Sequence, residues 1–200
     1  MEDFLGLDKY FRLEGFTYRL VPYAVNPEKG ETGEVDANIM YNNVTNKFRW
    51  GNMGSDDVNI EENNRRQISI IGIREMFARL ASSLIEKGDK DKAQEVINKC
   101  LEITPPEQVY YDQSMLPLIE AMYESGMVDK AIEISQAMGD EYEQILQHYL
   151  TLKNDDIIET REPALGVAII GQLAQFAGTY KQDAMAQKLI LLYQKYSEIF

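Results

Sequence analysis

Glu86-Lys87-Gly88-Asp89-Lys90-Asp91-Lys92-Ala93-Gln94-Glu95 and Glu124-Ser125-Gly126-Met127-Val128-Asp129-Lys130-Ala131-Ile132-Glu133 are two copies of one pattern. Glu, Gly, Asp, Lys, Ala and Glu recur at an offset of 38 residues, and Leu80 recurs as Leu118. Recurrence at such a period is the mark of a repeat architecture. The residues that recur have physical reasons to do so. Gly88 and Gly126 stand where a helix ends and the chain reverses, a place for a residue that tolerates the left-handed conformation. Ala93 and Ala131 stand in the opening turns of the next helix, where a small side chain lets paired helices approach.

Working outward, Phe77, Leu80, Ala81 and Leu84 form one apolar stripe at helical spacing, and Ala93, Ile97, Cys100 and Leu101 form its partner. A helix pair of this kind needs a neighbour to bury its other face. The spacing predicts a third pair over Pro163–Tyr180 and Gln182–Ile199 with Gly178 at its turn, and a helical stretch over Glu141–Leu152. From Glu61 onward the period is helical almost throughout, and before it the chain is largely irregular. Residues 1–66 read as an irregular arm with a short strand over Phe16–Tyr23, whose alternation and Pro22 suit an edge. A turn-rich stretch covers Asn26–Gly33. A short helix is predicted from Ala37 to Lys47, capped by Asp36 and ended by Trp50-Gly51-Asn52-Met53-Gly54.

The landmarks Phe77, Leu80, Ala81, Leu84, Gly88, Ala93, Ile97, Cys100 and Pro105 resemble the tetratricopeptide repeat: large, leucine, small, large, turn glycine, alanine, aromatic, alanine, proline. The second unit keeps Leu118, Gly126 and Ala131 but departs at the other landmarks, and its offset exceeds the usual ~34 residues. The resemblance implies an all-α, right-handed stack of antiparallel helix pairs over 67–200, with the arm 1–66 packed on it. Its concave face would carry Ser82 in the first unit, with Glu120 and Tyr123 in the second, as candidate contacts for a protein or peptide. The lysine, asparagine and arginine clamp that takes a terminal carboxylate in one version of the family is not matched here.

Composition narrows the function classes. The chain has 200 residues, 33 of them acidic against 20 basic, for a net charge of −13 that repels phosphate backbones. Nucleic acid is therefore not an expected partner. The basic pair Arg65-Arg66 follows Glu61-Glu62 and reads as an ion-paired helix start. The longest apolar candidate, Ala164–Ala177, is broken by Gly166, Gly171, Gln172 and Gln175, so no insertion of this chain into a membrane is expected. Met1-Glu2-Asp3-Phe4-Leu5 has neither the basic region nor the apolar core of a signal peptide. His148 is the one histidine, Cys100 the one cysteine and a packing residue by its position, and Asp56–Asn63 lacks the glycine and spacing of a calcium loop. No catalytic residue, cofactor or metal site is expected. The aromatics Tyr10, Phe11, Phe16, Tyr18, Tyr23, Tyr41, Phe48 and Trp50 crowd the first quarter of the chain, either to pin the arm or to form a binding shelf.

A second resemblance runs through Phe4–Pro22, Val35–Gly51 and Glu61–Arg66. These strings resemble the segment that follows the membrane-spanning part of a bacterial family of large, glycosyltransferase-like multi-pass membrane proteins. The resemblance implies a noncatalytic accessory domain beside the membrane, on the periplasmic side, with the arm as its joint and its own membrane domain among its partners. A free-standing, cytoplasmic adaptor that binds peptides is the alternative.

Overall fold

A computed structural model describes residues 6–27, 31–65, 72–152 and 161–200. The molecule is mostly helical with a small sheet near its N-terminus, and it divides into two compact units, Met1–Tyr110 and Tyr111–Phe200. The arm and the first helix pair thus share one unit. The expected boundary between residues 66 and 67, and with it Arg66, lies outside the described residues.

In the first unit, β1 (Phe11–Leu13) is the centre of a three-stranded sheet ordered β2-β1-β3. It pairs antiparallel with β2 (Tyr18–Leu20) and parallel with β3 (Glu34–Val35). The single strand expected at Phe16–Tyr23 is corrected to this sheet. Strands of two or three residues carry too little alternation to be seen in a sequence. Helix α1 (Ala37–Asn42) begins where expected, with Asp36 Oδ1 accepting from the Ile39 amide at 3.0 Å, and runs into a π turn over Asn43–Lys47.

The first helix pair is α2 (Ile73–Glu86) and α3 (Lys90–Ile103). Phe77, Leu80, Ala81, Leu84, Ala93, Ile97 and Cys100 are buried, as the stripes require, whereas Leu101 is only half-buried and Val96 and Ile103 complete the packed face of α3. The arm packs on this pair through three devices. Phe16, Phe48 and Trp50 form an aromatic cluster with centroids 5.6 to 5.9 Å apart, and Trp50 lies 5.4 Å from Phe77 of α2. Gly15 is needed beneath it, because an added Cβ would stand 2.6 Å from Phe48 Cζ. Arg79 of α2 holds β3 by an ion pair to Glu31 at 2.9 Å and by hydrogen bonds to the Thr32 and Gly33 carbonyls at 3.0 and 2.9 Å. Tyr41 of α1 donates to Glu95 of α3, a bond that, with burial, pushes the phenol up to about 12.

Arg74 lies on the same stripe as Phe77, Ala81 and Leu84 and is fully buried. Its guanidinium donates to the Tyr110, Thr104 and Val109 carbonyls at 2.9, 3.2 and 2.6 Å. It therefore caps the C-terminus of α3, where unpaired carbonyls and the helix dipole favour a cation, and gathers the segment that follows.

The second unit holds α4 (Leu116–Ser125), α5 (Val128–Thr151), α6 (Glu162–Thr179) and α7 (Asp183–Ser197). The expected helical stretch Glu141–Leu152 forms the second half of α5, a single helix of 24 residues that ends at Thr151. Gly139 is buried at mid-helix, where an added Cβ would meet Leu189 Cδ2 of α7 at 2.9 Å. Leu118, Ala131, Met138, Ile170, Leu173 and Leu189 build this unit's core.

Three reversals share one geometry. Gly88, Gly126 and Lys181 have φ of 81°, 95° and 60°. In each, the amide one residue later reaches back five residues: Asp89 to Leu84 at 2.9 Å, Met127 to Met122 at 2.8 Å, and Gln182 to Ala177 at 2.8 Å. This is the Schellman closure. Five residues after each left-handed residue comes a buried alanine, Ala93, Ala131 or Ala186. Gly178 is thus not the turn residue of the third pair; it lies within α6, and Lys181 takes the turn.

Two substitutions test this account. Lys181→Gly should raise stability by about 0.5 to 1 kcal/mol, since a left-handed side chain costs about 1 kcal/mol or more and the added freedom of the unfolded glycine offsets part of it; urea unfolding measures the shift. Arg74→Ala should cost about 3 kcal/mol by leaving buried carbonyls without donors, and Arg74→Lys should recover less than half, because one ammonium cannot span the three carbonyls. Equal stability of Arg74→Ala and the parent chain would show that the clamp contributes nothing.

Candidate interaction site

Register decides what each face of the sheet presents. Phe11 stands opposite Leu20, and Leu13 opposite both Tyr18 and Val35, so these five residues share one face. Arg12, Arg19 and Glu34 occupy the other. On the charged face, Glu14 takes Arg12 Nε on one oxygen and Arg19 Nε on the other, each at 2.9 Å. Arg12 also reaches Asp36 at 3.5 Å and donates to the Tyr23 hydroxyl at 2.8 Å. The hydrogen bond to Glu14 holds the Arg12 guanidinium above its ordinary value.

The apolar face is covered unevenly. Leu13 and Val35 are buried, and α2 lies against β3. Towards β2 the cover ends: Tyr18 is 38% and Leu20 57% exposed. Tyr18 is nonetheless held in place. Its ring lies 5.7 Å from that of Phe11, its hydroxyl accepts from Arg79 Nη1 at 3.2 Å, and a Cβ on Gly33 would collide with it at 2.8 Å. Gly33, at φ 71°, is therefore required twice over. Leu7 and Tyr23, on the segments flanking the hairpin, are also exposed. The aromatics of the arm thus divide in two: Phe16, Phe48 and Trp50 pin it, while Tyr18 and Tyr23 face outward.

The sequence-derived contact residues fall elsewhere. Ser82 is half-buried on α2 of the first unit. Glu120 and Tyr123 lie on α4 of the second. Glu120 is exposed, but Tyr123 is only 5% exposed, because the Tyr180 ring stacks on it at 4.7 Å and 7°. The Tyr180 hydroxyl donates to Glu124 at 3.3 Å. Burial, then Glu124 and Glu120, push the Tyr180 phenol up to about 12, and burial beside Glu124 raises the Glu120 carboxyl. The repeat landmarks Gly88 and Gly126 serve their turns, and Leu118 and Ala131 are packed.

Other candidates take structural places. Cys100 is buried, and burial pushes its thiol up to about 12, far from a thiolate nucleophile. His148 is exposed on α5 beside Tyr149. Glu61 accepts from the Asn63 and Asn64 amides at 3.0 and 3.4 Å, and Arg65 pairs with Glu62 at 3.2 Å, as an ion-paired helix start would have it. Among the described residues, no helix is long and apolar enough to cross a membrane. Compared with protein-family models, curated proteins and solved structures, the chain matches none.

Tyr180 offers a direct check of the second unit. A phenol whose folded value, about 12, lies above its ordinary 10.0 stabilises the fold below pH ~10, and that contribution is lost as pH rises towards 12. Absorbance titration of phenolate should find Tyr180 ionising late, and Glu124→Gln should move its midpoint down while leaving that of Tyr41 in place.

Proposed function

We propose that this chain is a noncatalytic interaction domain, the accessory part of a glycosyltransferase-like membrane protein, which docks through its N-terminal sheet. The observation that carries this reading is the uncovered edge of the apolar sheet face, Tyr18 and Leu20, on an arm that is otherwise pinned by Arg79, Trp50 and Tyr41. A rigid support beneath an exposed aromatic and aliphatic edge suits a docking surface, since such side chains dominate contacts when they are desolvated. The strings that resemble the membrane-protein family supply the partner: the sheet is built from Phe11–Leu13 and Tyr18–Leu20, within the first of them. The helix pairs then act as tetratricopeptide-type units; the burial of Phe77, Leu80, Ala81, Leu84 and Ala93 and the shared reversals support this. The domain would sit beside the membrane on its periplasmic side.

A second reading, a free-standing adaptor for peptides in the cytoplasm, draws on a different feature. The Tyr180 ring, stacked on the buried Tyr123 beside Glu120 and Glu124, offers an aromatic face with two carboxylates, which suits a basic extended segment.

A photoreactive amino acid at position 20 separates the two. In detergent-solubilised membranes from the source cells, the full chain should crosslink to a multi-pass membrane protein, and Tyr18→Ser should reduce the yield several-fold. Crosslinks confined to soluble proteins, or crosslinking from position 180 alone, would replace this reading with the adaptor.

A further inference from the structure

The backbone of β2 adds a second property to the edge just described. In an antiparallel pair, residues alternate between those whose N–H and C=O face the neighbour and those whose groups face away. The Val21 amide donates to the Tyr10 carbonyl at 2.9 Å, so Val21 and Arg19 face β1. The N–H and C=O groups of Tyr18 and Leu20 therefore face outward. Strand β2 is the terminal strand of the sheet, and among the described residues no backbone group bonds to these four. Natural proteins blunt such edges with prolines, bulges or inward charges. Here Pro22 lies just past the open positions, and the residues flanking Arg19 are a tyrosine and a leucine.

We propose that this edge takes an extended segment of a partner protein as an additional antiparallel strand, and that the segment reads apolar–acidic–apolar. The inference rests on the docking reading above and names the form of its partner. Two residues of the incoming strand, opposite Tyr18 and Leu20, would each exchange a pair of backbone hydrogen bonds, four in all, with their side chains on the apolar face. Between them, the middle residue falls on the charged face beside Arg19. Among the described residues Arg19 pairs with Glu14 through Nε, and its side chain is 65% exposed, so the guanidinium is accessible to a second carboxylate. A second copy of this chain is disfavoured as the occupant. The symmetric register that uses all four outward groups sets Arg19 directly against its own copy, a like-charge pair.

The test uses the full chain, labelled with nitrogen-15, and the blocked peptide Thr-Val-Glu-Val-Thr. Binding should shift the Tyr18 and Leu20 amides and slow their hydrogen exchange by about tenfold or more, while Arg19 and Val21, already bonded to β1, change little. Replacing Glu by Lys in the peptide should weaken binding several-fold. N-methylation of both valines, which removes the donors facing β2, should abolish it whatever the fate of any protein variant. Leu20→Pro deletes one outward donor without touching a bond to β1 and should weaken binding about tenfold, whereas Leu20→Val should not. Equal binding of the N-methylated peptide, shifts centred away from β2, or no saturable binding at millimolar peptide would each overturn the proposal. If position 20 crosslinks to a membrane protein while the peptides fail, docking stands and strand addition falls; if both fail, so does the docking reading.

Discussion

A helix that must reverse within three residues and lie back along itself imposes two demands. One residue at the turn takes a positive φ, so that the following amide can reach back to the last turn's carbonyl. One residue a turn later must be small, so that the second helix can close on the first. The pairs Gly88 with Ala93, Gly126 with Ala131 and Lys181 with Ala186 meet these demands in the same order and at the same spacing. These closures set which stripes of α2, α4 and α6 meet the second helix of each pair.

The first unit adds a different constraint, which is to hold a segment with little core of its own. Its sheet has three strands of two or three residues, too small to be stable alone. Helix α2 supplies what is missing. Phe77 carries the aromatic cluster, Arg79 carries β3 and Tyr18, and Arg74, on the same stripe as Phe77, ties the end of α3. Three residues within two turns of one helix thus organise the whole unit. The consequence for function is a supported edge: β2 is short and outermost, yet its partner strand is anchored to α2 through β3 and its own Tyr18 is held by Arg79. An edge with that backing can accept a partner without first being ordered, which lowers the entropic cost of binding.

Part of this was legible in the sequence. The glycines and alanines of the first two reversals stood out because they recur, and the apolar stripes of α2 and α3 because their spacing is regular. The third reversal was hidden by a lysine doing what glycine does elsewhere; Gly178, three residues earlier, drew the assignment instead. Arg74 falls on an apolar stripe, which was the available signal, but a charged residue there is ordinarily a boundary of the stripe rather than part of it. Its burial became intelligible only with three carbonyls converging on it. Tyr123, chosen as an open contact by its place in the repeat, is covered by a tyrosine 57 positions later, a pairing no local pattern encodes.

What the sequence by itself determined is the helical period, the positions of the first two turns and the cap at Asp36. These are properties of neighbours along the chain, where glycine's freedom, alanine's size and the 3.6-residue period act locally. Tertiary structure alone decided that the arm forms a sheet, that its aromatics divide between pins and outward-facing groups, and that Tyr18 and Leu20 turn their backbone groups to solvent. Those outcomes depend on which strand lies beside which and in what register. A shift of one residue would exchange the apolar and charged faces and turn the open donors inward.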